Sequence, residues 1–113
     1  MKKLLGFSRS RRLTRRVEFI RLFDKPKTYR AETFEIYYKQ NEKKEARLGI
    51  TLKGRTSSVW RIRLKRVIRE WFRESQLKIG FYDLNVVIRL PTNMDWIFID
   101  KTRKQLKQWK HLA

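Results

Sequence analysis

The chain predicts an α+β fold, a single α/β sandwich with helices laid on a mostly antiparallel sheet. Two observations carry this. The apolar residues change period along the chain: 3.6 over 15–23, then 2 over 33–39 and 47–53, then 3.6 again over 57–73. A more continuous apolar run at 83–90 and a last helical stretch follow. Nothing divides the chain, which has no repeat, no low-complexity segment and no linker, and 113 residues suffice for one core but not for two. The order is therefore helix, two or three strands, basic helix, strand, helix, all within residues 1–113.

The chain is basic from Lys2 to Arg16, and residues 1–14 read as an N-terminal arm that a polyanion would order. Thr14 is the expected cap of a short helix from Arg15 to Phe23, with Val17 and Ile20 near one side and Phe19 and Phe23 spaced i, i+4. Aromatics at that spacing are more often core than contact surface. Lys25-Pro26 ends the helix, because the proline ring disfavours helical geometry at the residue before it.

Lys27 to Ala31 could add a short polar strand. From Thr33 to Lys39, Phe34, Ile36 and Tyr38 alternate with Glu35, Tyr37 and Lys39; from Arg47 to Lys53, Leu48, Ile50 and Leu52 alternate with Arg47, Gly49 and Thr51. The short polar link between these strands predicts an antiparallel hairpin. Asp83 to Leu90 suits a position inside the sheet, and Pro91 stops it. If Arg47–Lys53 pairs with it in parallel, the helix between them is the crossover. Asn93 or Asp95 begins the last helix, whose apolar residues Trp96, Ile97, Phe98, Leu106 and Trp109 are expected on the side against the sheet.

The central stretch, Ser57 to Arg73, organises the rest. On a helical wheel Trp60, Leu64, Val67, Ile68, Trp71 and Phe72 gather on one side, and Arg61, Arg63, Lys65, Arg66, Arg69 and Arg73 sweep the other. Ser57 or Ser58 caps its start, and Gly80 lies just beyond its end. An ordinary solvated face would mix signs. Here six cations face one anion, Glu70, without the acid four residues ahead of each Lys that makes intrahelical pairs. A polyanion is the partner that absorbs such repulsion. The short loop before the helix, Lys53-Gly54-Arg55, reads either as a plain turn or as a phosphate-holding loop at a helix N-terminus.

The whole-chain balance agrees. Thirty Lys and Arg against eleven Asp and Glu give a formal charge of +19, while 41% hydrophobic and 13% aromatic residues exclude a disordered basic tail. A phosphate backbone, with release of its counterions, is the fitting partner; a cationic membrane-surface protein is the competing reading. There is no transmembrane run and no signal-peptide core, and the absence of cysteine accords with a cytoplasmic protein. Catalytic chemistry is poorly stocked. His111 is the lone histidine, near the end of the chain, the acids are scattered, and no phosphate-loop or dinucleotide glycine fingerprint appears.

The central stretch, Ser58-Val59-Trp60-Arg61-Ile62-Arg63-Leu64-Lys65-Arg66-Val67-Ile68-Arg69-Glu70, resembles the signature of the protein subunit of bacterial ribonuclease P: an Arg-Asn-Arg core, Lys-Arg, two apolar residues, then Arg and an acid or amide. The early VEFIRLF (17–23), the RLGI (47–50) and the DLNVVIRL (83–90) fall in the family's order, so the resemblance covers nearly the whole chain. Two positions depart. Ile62 stands at the signature's asparagine, where an exposed isoleucine could instead pack on a base or sugar. The loop from Lys53 to Ser57 is about one residue shorter than usual, with Lys53-Gly54-Arg55 where a serine and paired lysines are common.

The resemblance implies a cofactor protein for a catalytic RNA that removes the 5′ leader of precursor tRNA. Bond cleavage belongs to the RNA, with magnesium ions held mainly by RNA and none by the protein. It also implies a left-handed crossover between the parallel strands, against the usual right-handed rule. The basic helix (Arg61, Arg63, Lys65, Arg66, Arg69, Arg73) would meet the catalytic RNA. A cleft between the first helix and the open sheet face would hold the single-stranded leader, with Phe19, Phe23 and Tyr37 in it and Arg12 near its rim. No membrane or small-molecule partner is expected. A ribosomal-type structural RNA binder would share the charge and fold class but not discriminate leader-bearing from mature tRNA. A protein-only nuclease would need the carboxylate cluster this chain lacks.

Overall fold

A computed structural model describes residues 12–42 and 45–109, with the side chains of 76–78 outside the description. The expected arm therefore lies outside the described residues up to position 11, and His111 does too. The elements are α1 (Arg16–Leu22), β1 (Lys27–Arg30), β2 (Phe34–Gln40), β3 (Arg47–Lys53), α2 (Ser58–Ile79), β4 (Tyr82–Arg89) and α3 (Trp96–Gln108). The polar stretch after Pro26 is a true edge strand.

The four strands lie in the order β1-β2-β4-β3, with β1–β2 and β2–β4 antiparallel and β3–β4 parallel. The expected β2–β3 hairpin does not form. β4, six of whose eight residues are buried, takes the centre because only there are both its edges paired and both its faces covered. The link from β2 to β3 instead passes the start of β4, where the Asn41 N–H donates to the Phe81 carbonyl at 2.7 Å. The parallel pairing of β3 with β4 makes α2 the crossover.

Alternation then sorts the sheet into two faces. Phe34, Ile36, Leu48, Leu84, Val86 and Ile88 point to one side, where Leu64, Ile68 and Phe72 of α2 and Ile99 and Leu106 of α3 complete the core. Each such side chain, fully removed from water, contributes about 1.5–3 kcal/mol. Ser57 Oγ accepts from the Trp60 N–H at 3.3 Å to cap α2, and Gly80 at φ +80° ends it in a conformation that costs other residues more.

Two helix details correct the sequence reading. Thr14 does not cap α1; the Glu18 carboxylate reaches back and accepts the backbone N–H groups of Thr14 and Arg15, each at 3.1 Å. Asp95 caps α3 as one of the two expected starts, its Oδ1 accepting from the Phe98 N–H at 2.9 Å. However, Trp96 and Ile97 do not face the sheet. They are 53% and 72% exposed, and the buried stripe is Ile99, Thr102 and Leu106. Leu106 and Trp109 are buried as expected, but a count of apolar residues misses Thr102, which takes a core position by hydrogen bonding to Thr33 Oγ1 and the Phe98 carbonyl, both at 2.9 Å.

Candidate nucleic-acid interface

The outer side of α2 carries the predicted cations on one element. Leu64, Ile68 and Phe72 hold the inner side at zero exposure, which fixes the helix rotation. Arg63 and Arg66 are then exposed, while Arg61, Lys65, Arg69 and Arg73 are half-buried, with their stems along the helix flanks. The Nε atoms of Arg69 and Arg73 are buried without a hydrogen-bond partner. No acid occupies the first turn of α2. Lys53, Gly54 and Arg55 are exposed between β3 and this helix; Gly54 takes φ +109°, and Lys53 is tied back by the Leu90 N–H to its carbonyl at 2.8 Å.

The opposite face of the sheet is crossed by α1, and Arg47 holds the two together. Its guanidinium grips the Asp83 carboxylate through Nε and Nη2, both at 2.9 Å, and reaches Glu18 of α1 through Nη1 at 2.6 Å. Asn41 Nδ2 adds a bond to Asp83 at 2.8 Å. Hydrogen bonding to Asp83 outweighs desolvation and raises the Arg47 pKa further, so it stays charged. Burial pushes the Glu18 carboxyl up, but the Arg15 and Thr14 N–H groups, then Arg47, outweigh it and hold its pKa below the usual carboxylate value. At the far end of α1, Lys39 Nζ donates to the carbonyls of Arg21 and Asp24 at 3.2 and 2.8 Å, cation on helix C-terminus. A cavity of about 550 Å³ beside these groups is lined by Arg21, Lys39, Asn41, Arg47 and Asp83. Its polar lining is largely spent on fixing α1.

Along α1 the two phenylalanines find different neighbours. Phe19 lies over Gly49, so close that a Cβ there would meet its Cε1 at 2.8 Å and Asn85 Oδ1 at 2.9 Å. Phe23, 43% exposed, meets Tyr37 with ring centroids 5.0 Å apart. The Tyr37 hydroxyl donates to Glu35 at 3.0 Å, and that bond, with desolvation, raises the phenol's pKa and keeps it neutral. Register places Thr28, Tyr37, Asn85 and Gly49 in one row across this face, with Arg30, Glu35, Val87 and Thr51 in the next. Arg12 is exposed on the β3 edge, bridged to Leu48.

The structure thus brings Phe19, Phe23 and Tyr37 to one face and the six α2 cations to the other side of the sheet. Sequence reading missed Glu18, Arg47, Asp83 and the half-buried Asn85–Thr51 pair, whose Nδ2–Oγ1 distance is 3.1 Å. The available signal was polar residues at alternate positions of an otherwise apolar strand, Asp83 and Asn85 in β4. Their partners depend on register, which was not readable.

The family model for ribonuclease P matches residues 7–112. The chain belongs to the ribonuclease P protein family. It is 33% identical over 112 residues to the ribonuclease P protein component of Stutzerimonas stutzeri, covering 96% of this chain and 84% of that one. It is also 33% identical over 86 residues to the component from Coxiella burnetii, covering 74% and 71%. The RNase P protein of Staphylococcus aureus superposes with a TM-score of 0.71 at 26% identity, covering 87% of this chain and 94% of that one. For the Thermotoga maritima RNase P protein the TM-score is 0.66 at 29% identity, with 88% and 97% covered.

As a ribonuclease P protein component the chain is an RNA-binding subunit of the endoribonuclease that processes tRNA 5′ ends, and the ribosomal-type reading gives way to it. Among the described residues no group of three or more His, Cys, Asp or Glu could hold a metal ion. None of their helices is long and apolar enough to cross a membrane.

Proposed function

We infer that the two faces of this domain serve two RNAs in the cytoplasm. The α2 face, with Arg61, Arg63, Lys65, Arg66, Arg69 and Arg73, binds the catalytic RNA of ribonuclease P, exchanging condensed counterions for guanidinium and ammonium groups. The sheet face under α1 takes the single-stranded 5′ leader of precursor tRNA. The observation carrying this second role is the Phe23–Tyr37 pair, a half-open aromatic contact on a face whose other exposed groups include the cations Arg30, Lys53 and Arg89. Aromatic faces accept successive bases without demanding a sequence, and cations at the margin follow the backbone.

Phe19 forms the inner wall and Arg12 the rim. Lys53, Gly54 and Arg55 supply a phosphate contact beside the start of α2. The polypeptide contributes binding and charge screening. Magnesium ions come with the RNA, whose chemistry removes the leader, and the protein favours precursor over product because only the precursor fills the cleft.

The test is magnesium-dependent cleavage of a 5′-extended precursor tRNA at low salt, with this protein titrated in the presence or absence of a bacterial ribonuclease P RNA. Stimulation confined to reactions that contain the RNA is expected. Cleavage by the protein alone would overturn the assignment of chemistry to the RNA, and binding without stimulation would overturn the cofactor role.

A further inference from the structure

An aromatic cluster adjoins the cationic face at the start of α2. At the start of α2, the Arg63 guanidinium stands 5.4 Å from the centroid of Trp60 and 4.9 Å from that of Trp96, and the two indoles meet edge to face at 5.2 Å. Trp60 packs partly into the core, but Trp96 remains half exposed. On the same first turns of α2, Val59 and Ile62 are 52% and 60% exposed and, at i, i+3 spacing, adjoin one another. Ile62 occupies the position at which the family signature carries an asparagine.

The fold does not require these side chains to be apolar. Trp96 departs from the buried stripe of α3, and Ile62 and Val59 point away from that of α2. Charge narrows what could cover them. Arg63 touches both indoles and Arg66 adjoins Ile62 at i, i+4 spacing, the first turns of α2 and α3 contain no acid, and the nearby Asp95 is engaged in capping α3. A protein partner would have to answer the cations with acids around an apolar centre, whereas an RNA presents phosphates and π faces together. The patch is also on the helix side of the sheet, away from Tyr37 and the leader cleft.

The geometry points to Trp96 as a stacking ledge for an unpaired base of the catalytic RNA, next to a phosphate held by Arg63. Packed against both indoles, the Arg63 guanidinium loses less freedom on binding than an unsupported arginine, and cation–π attraction keeps it beside the ledge. Ile62 then replaces the amide's polar contact by an apolar one to base or sugar. This inference rests on the assignment of α2 to the catalytic RNA.

The experiment is equilibrium binding of the full chain to a bacterial ribonuclease P RNA across a salt series, comparing the parent with Trp96→Ala, Trp96→Phe, Ile62→Asn and the double variant Arg66→Ala/Arg69→Ala. Base–aromatic stacking predicts that Trp96→Ala weakens binding about 5-fold or more with its salt slope unchanged, and that Trp96→Phe recovers most of the loss. Ile62→Asn should also weaken binding, although it restores the family's residue. Trp96→Ala binding within about twofold of the parent, while the double arginine variant binds poorly, overturns the ledge and leaves the α2 assignment standing. A reduced salt slope in Trp96→Ala would make Trp96 a support for Arg63, not a stacking surface, and also overturns it. Self-association of the parent that Trp96→Ala abolishes, with RNA affinity unchanged, would give the patch to a second copy of the chain. Failure of the parent to bind the RNA would overturn the α2 assignment itself and the ledge with it.

Discussion

Arg47 shows how one side chain can hold a short helix across a sheet. Its guanidinium links α1 to β4 through carboxylates that, with it, have side-chain exposures of 8–16%. Removing it leaves the buried Asp83 and the half-buried Glu18 without their countercharge, so Arg47→Ala should cost about 3–5 kcal/mol in urea unfolding. Glu18 gives the linkage a pH signature. Because its folded pKa is lowered, its stabilisation is complete above the ordinary value of 4.5 and fades as pH falls through the lower folded value. Unfolding midpoints compared at neutral pH and at about pH 3.5 should fall further for the parent than for Glu18→Gln. Gly49 is the second residue on which α1 depends. A methyl group there collides with the Phe19 ring and Asn85 Oδ1, so Gly49→Ala should destabilise by about 1–3 kcal/mol through overpacking. None of this was legible in the sequence beyond Arg47 sharing a strand face with Gly49. Asp83 lies 36 residues away, and only register makes it a partner.

At the scale of elements, α2 was the most legible part. Its rotation follows from six large apolar residues on one side, and its charge follows from what remains. Replacing Arg66 and Arg69 by Ala should weaken binding to a ribonuclease P RNA and reduce the slope of log affinity against log salt by about 1 to 2, since each lost cation releases roughly 0.7–0.9 fewer counterions. An unchanged slope in filter-binding or fluorescence titrations would place the RNA elsewhere. β2 and β3 were read correctly as strands with correct faces, but the hairpin expected between them does not form. Strand periodicity reports which side is buried and nothing about who lies alongside, and the strongest apolar strand, β4, claimed the place between them. α3 was misjudged because Trp96 and Ile97 outweigh Thr102 in any count of apolar residues, although Thr102 is the one that hydrogen-bonds its way inward.

For the whole molecule, the proposed function divides the work of a chain with formal charge +19 between the two sides of one sheet. The helix side spends apolar residues on the core and presents cations outward, whereas the α1 side spends ions on holding a short helix across the strands and leaves aromatic rings partly open. Composition announced a polyanion partner, and the signature on α2 pointed to the family. The division into two faces needed the strand order. Its most direct test is the affinity of the holoenzyme, reconstituted with a ribonuclease P RNA, for precursor tRNA and for mature tRNA, measured with the parent protein and with Tyr37→Ala. The account predicts that Tyr37→Ala weakens the precursor complex several-fold, as loss of one stacking contact should, and leaves the mature tRNA complex unchanged. Equal weakening of both complexes, or of neither, would contradict it.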